Sequence, residues 1–153
     1  MQTPDAPTEL RAVLADIGTT PATVTALLSD LGEDALRYAP PGGRSCRDLI
    51  EALIASSLHL GQVAHDVLGH VPGAGSAIPA EPPDGTALQT QLRFLREHIV
   101  STVDQQGAAV WSHPTPAGRP LFAYAVDLQH GDDALLAELR RVTAAARAAH
   151  PAA

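Results

Sequence analysis

Between Ser45 and Gly69 the chain spaces its apolar residues alternately by four and by three, and it does so twice over. One stripe is Leu49, Leu53, Ser56, Leu60, Val63 and Val67. Its neighbour is Ile50, Ile54, Ser57, Gly61, Ala64 and Leu68. Such spacings fall on one side only in a helix, with its about 3.6 residues per turn. A face two stripes wide is too broad for a single partner, so this helix must pack against two others, as in a bundle. Ser45 supplies an N-cap, and Asp48 three residues on stands where a capping box needs its carboxylate.

The rest of the chain repeats the theme. A first helix is expected over 8–31, with Leu10, Val13, Leu14 and Ile17 on one face and Val24, Leu27, Leu28 and Leu31 continuing it. Gly18 interrupts this helix, and Thr20 with Pro21 reads as a restart with proline in the first turn, so one broken helix is expected. Gly32 supplies a stop, a short turn spans 33–37, and Pro40 to Gly43 form a loop. The second helix is placed at 46–68, the third at 87–106 with Leu88, Leu92, Leu95, Ile99 and Val103. The fourth is placed at 120–149, ahead of a flexible tail at 150–153. Residues 69–86, rich in Pro, Gly, Ala and Ser, form a crossover loop much longer than the usual connection of about 4–6 residues. A long connection lets consecutive helices run in the same direction. The expected fold is all-α, a four-helix bundle in one domain spanning 1–153.

Composition limits what such a chain does. The apolar share is 45% but aromatics are only 3%, and small helix-forming side chains suit close-packed helices better than a sandwich of sheets. The net charge is −7 and no basic cluster follows a phosphate backbone, so nucleic acid is not an expected partner. A single cysteine, Cys46, excludes an internal disulfide and a multi-thiolate metal site. No signal-peptide pattern opens the chain and no apolar run approaches the roughly 18 residues that span a bilayer. A cytoplasmic protein without membrane contact is expected.

The segments TPATVTALLSDL at 20–31, LRYAPPGGRSCRDLI at 36–50, PAGRPL at 116–121 and LAEL at 136–139 resemble the DinB-like superfamily over nearly the whole chain. That family comprises four-helix bundles of up-down-down-up topology, among them bacillithiol- and mycothiol-dependent transferases. The resemblance implies a metal site built from one histidine on the second helix and a pair spaced four apart on the fourth. Such a site holds an ion with open positions for water or substrate. Here the second-helix position falls on Ala52. The fourth helix offers His130 with Ala134 four residues on or, in another register, Asp132 and Leu136. The paired histidines are absent, and Arg44 replaces the family's usual aromatic before Ser45. The ligand set reads as lost.

Asp132 interrupts an otherwise apolar stripe of Leu121, Ala125, Leu128, Leu135, Leu139, Val142 and Ala146. It reads either as a remnant ligand or general acid–base group, or as a carboxylate paired within the fold, and buried acids are rarely left unpaired. His59 lies seven residues after Ala52 on the same face, displaced by roughly 10 Å along the axis. A candidate cavity therefore comprises Ala52, His59, His130 and Asp132. Cys46, in the first turn of a helix beside Arg44 and Arg47, is a candidate reactive thiol or a small buried apolar side chain. Asp66 and His70 have chelating spacing at a helix end, where a solvated pair is the plainer reading. His65, His98, His113 and His150 have no identifiable partner, and Trp111 reads as a cap over the bundle end.

Three functions compete. The first is a DinB-like bundle without a metal centre, acting non-catalytically through binding of a small molecule or self-association as a homodimer. No cofactor is expected and no catalytic residue assigned. The second is a metal-dependent hydrolase or thiol S-transferase with rearranged ligands, in which His59, His130 and Asp132 hold Ni, Zn or Fe. The third is a role in DNA damage, against which the acidic charge argues.

Overall fold

A computed structural model describes residues 6–68, 84–106, 111–112 and 114–150. The crossover loop expected at 69–86 falls almost wholly outside them. So do His70, His113 and the tail after His150.

The described residues are all-α, with the helices α1 (Ala6–Leu28), α2 (Glu33–Arg37), α3 (Cys46–Leu68), α4 (Gly85–Gln106) and α5 (Leu121–Ala149). The described residues contain no strand, only an isolated bridge between Pro114 and Pro120. Among them, no helix is long and apolar enough to cross a membrane. The helices α1 and α3 each pack against both α4 and α5, and the single turn of α2 rests on α3 and α5.

Local chemistry sets the helix ends. At the start of α3, Ser45 N–H donates to Asp48 Oδ2 (3.0 Å) and Asp48 N–H donates to Ser45 Oγ (3.1 Å), closing the capping box. At α4, Asp84 Oδ1 accepts from Ala87 N–H at 2.7 Å, so this helix starts ahead of the expected 87. Gly85 is wedged against Leu36, leaving no room for a Cβ, and its N–H donates to Glu33 Oε1. In the turn before α5, Gly118 takes a positive φ of 86° and donates to Thr115 O, while Thr115 N–H donates to Arg119 O.

The first helix departs from expectation. It is continuous through Gly18, with Pro21 in its interior, and it ends at Leu28 rather than at 31. A proline there withholds the N–H that would bond the carbonyl of Ile17, four residues earlier. That carbonyl accepts instead from Arg96 Nη1 at 2.9 Å, so α1 continues without an orphaned buried acceptor.

Two apolar clusters fill the interior. One gathers Val24, Leu28, Leu49, Ile50, Leu53, Leu92, Leu139 and their neighbours, with Leu36 of α2 and Cys46. The other gathers Leu10, Leu14, Ile17, Leu60, Ile99, Leu121 and Leu128, and includes Trp111. Each fully enclosed leucine or isoleucine contributes roughly 1.5–3 kcal/mol of burial. On α5 the buried stripe runs Leu121, Ala125, Leu128, Asp132, Leu136, Leu139, Val142 and Ala146, with Leu135 only partly covered.

Candidate functional site

A layer of polar groups joins all four long helices. Arg96 of α4 is 0% exposed and Asp132 of α5 only 2%. The guanidinium grips the carboxylate with both ends, Nη1 to Oδ2 at 2.5 Å and Nη2 to Oδ1 at 2.7 Å. Its Nε donates to Ser57 Oγ of α3 at 2.7 Å, and Ser57 passes its own proton to Leu53 O at 2.7 Å. From α1, Thr20 Oγ1 donates to Asp132 Oδ2 at 2.8 Å, and the Ile17 carbonyl takes Nη1.

Taking these two charges out of water costs several kcal/mol for each ion, and only close two-pronged geometry with further hydrogen bonds offsets it. Arginine keeps its charge at any pH a folded protein meets, so the carboxylate has a permanent counter-ion. Asp132 is therefore a paired acid in the fold.

The four residues expected to line one cavity do not meet. Asp132 faces Arg96 and α1, whereas His130 and His59 are exposed and Ala52 is half-buried. The reason is angular: residues two apart on a helix lie about 200° apart around its axis. His130 therefore points away from the side Asp132 takes, and His59 away from the side Ser57 takes. Nor do the residues fit a three-histidine ion. Ala52 offers no donor atom, His130 faces outward, and Asp132 is engaged by a cation. Among the described residues no three His, Cys, Asp or Glu side chains stand close enough to hold a metal.

Cys46 is wholly buried in the apolar cluster, and burial pushes its thiol up to about 11, with a small opposing pull from Arg147. The arginines beside it in sequence are occupied elsewhere. Arg44 pairs with Glu138 at 2.6 Å and Arg47 with Glu51 at 3.4 Å. The hydrogen bond from Arg44 holds the Glu138 carboxyl below its ordinary range. Burial among apolar side chains and a raised titration both disfavour the thiolate that a nucleophile needs.

His59 instead lines an open groove of about 460 Å³ between α3 and α5. Ala55, Ser56 and Leu60 line it from α3, Tyr124, Asp127, Leu128 and Gly131 from α5, and Arg119 from the turn before α5. The His59 and Tyr124 rings stand 6.1 Å apart. Arg119 lies over the Tyr124 ring at 4.8 Å and pairs with Asp127 at 2.9 Å. Among the described residues, the His59 imidazole nitrogens and the Tyr124 hydroxyl have no hydrogen-bond partner.

The remaining candidates are dispersed. Asp66 accepts from Gln62, His98 stacks on Phe94 and His150 meets Tyr38 edge-on. Trp111 is buried in the second apolar cluster with its indole N–H unpartnered, and His65 Nδ1 and Thr115 Oγ1 are also unpartnered.

Sequence reasoning missed Arg96, Arg119 and Tyr124. Arg96 follows Leu92 by four and precedes Ile99 by three, so it sits in the apolar stripe. An acid inside one stripe and a base inside another is the signal of a buried pair. Compared with protein-family models, with curated proteins and with solved structures, the chain finds no match.

Proposed function

We propose that the chain is a DinB-like bundle of up-down-down-up topology, cytoplasmic and non-catalytic, that acts by binding at the α3–α5 groove and by self-association as a homodimer. The observation that carries this reading is the Arg96 guanidinium, bonded at once to α1, α3 and α5. A fixed cation at the centre of the helices opposes a divalent ion nearby and performs the cross-linking an ion would otherwise perform.

The cross-helix pairs support the topology. Gln129 reaches Asp16 and Arg147 reaches Asp30, which suits α1 and α5 running the same way. Arg44 with Glu138, and His59 with Tyr124, suit α3 running opposite to α5. Leu49 and Leu53 share one cluster with Leu88 and Leu92, and Leu60 shares the other with Ile99, which suits α3 and α4 running together. Self-association is supported by Phe94, the one exposed large apolar side chain among the described residues. A Phe94→Glu variant that sediments like a dimeric wild type would argue against that face.

Elemental analysis of the purified protein tests the non-metal reading directly. Nickel, zinc and iron are expected well below one ion per chain. A stoichiometric ion would instead favour the rearranged-ligand hydrolase or transferase, which requires Asp132 to leave Arg96.

A further inference from the structure

The groove beside His59 carries a chemical bias that names its ligand class. The groups on its walls able to donate to an anion are the His59 imidazole N–H, the Tyr124 hydroxyl and the N–H bonds of Arg119 beyond the one to Asp127, whose carboxylate is engaged by that arginine. Ser56 has already given its proton to Ala52 O. Away from these groups the walls are apolar and small, from Ala55, Leu60, Leu128 and Gly131. We propose that the groove binds a small monocarboxylate with a flat apolar body, its carboxylate between Arg119, His59 and Tyr124 and its body along the Ala55–Gly131 side. This rests on the reading of the groove as a binding site and adds the class of ligand.

Charge decides among the alternatives. A cationic ligand would meet Arg119, whose guanidinium already occupies the face of Tyr124. A multiply charged anion would find only one fixed positive charge, flanked by Asp127, on a chain of net charge −7. A single carboxylate matches the two-pronged guanidinium and asks for no second cation. The volume, about 460 Å³, lies within the usual range for small-ligand sites.

The full chain is titrated with 2-naphthoate, with its carboxamide and with 2-naphthylmethylamine, by calorimetry. One-to-one binding of the carboxylate is expected, weakened about tenfold or more by Arg119→Gln. Tyr124→Phe should weaken it less. Arg93→Gln, the same loss of charge in the α1–α4 groove, should leave it unchanged. Equal binding of the carboxamide, or tighter binding of the amine, abolished by Tyr124→Phe and His59→Ala, overturns the ligand class while leaving the groove a binding site. Binding of none of the three overturns both.

Discussion

The helices α3 and α5 each contribute to two polar regions, and the two could hardly be less alike. On the inner side Ser57 and Asp132 are locked to Arg96, with Thr20 and the Ile17 carbonyl satisfying what remains. On the outer side His59 and Tyr124 face an open groove, with no hydrogen-bond partner among the described residues. Burial makes an unpaired polar group costly in the first region, so the groups there are paired. Those in the second are solvated at little cost and stay available. Burial alone therefore does not mark a functional residue here, and the proposed binding site draws on the groups left uncommitted in a concave surface.

The contrast breaks most readily at the knot. Arg96→Leu leaves Asp132 buried without its counter-ion, and a loss of about 3–5 kcal/mol is expected in urea unfolding. Asp132→Leu should cost a similar amount, yet the double variant should cost far less than the sum of the two. Strictly additive losses would mean that the two groups do not act as a pair.

Next in size is the burial of Cys46. Replacing its thiol by the hydroxyl of serine should cost about 1–3 kcal/mol. Its titration has a definite sign. The folded chain holds the thiol proton up to about pH 11, beyond the ordinary thiol range of the unfolded chain. The contribution is complete below the unfolded value and is lost as pH rises through the folded one. Disulfide-exchange reagents should label native Cys46 far more slowly at neutral pH than in urea. Rapid native labelling would restore the reactive-thiol reading.

A smaller effect isolates the bond that bridges the proline. Pro21→Ala returns an N–H to the Ile17 carbonyl. The gain should be larger in the Arg96→Leu background than in wild type, by about 1 kcal/mol. The change in unfolded-chain entropy is common to both backgrounds and cancels. Smallest of all, His59→Ala should stay within about 0.5 kcal/mol of wild type. A larger loss would put His59 with the structural residues and erase the distinction between the two regions.

Periodicity made the helical character legible, and capping chemistry placed the start of α3 at Ser45 and Cys46. Gly18 and Pro21 misled because sequence-local rules end a helix where a buried acceptor loses its donor, and the replacement donor comes from Arg96, 79 positions away. Asp132 was conspicuous as an acid among leucines, but its partner lies on another helix and was hidden by counting only the apolar members of that stripe. The candidate cavity failed for a geometric reason: His130 and Asp132 are near in sequence and far apart in angle. The groove was legible only through His59, because Arg119 reaches it through the turn at Gly118 rather than along a helix face.

The central claim is that a permanently charged guanidinium, buried and hydrogen-bonded through all three of its nitrogens, holds the four long helices together. Hydrogen exchange of the Arg96 Nε proton, followed by nitrogen-15 NMR in the native protein, tests it most directly. The account requires this proton to exchange far more slowly than that of exposed Arg93. Exchange as fast as Arg93 would mean that water reaches the guanidinium, and the buried knot would not exist.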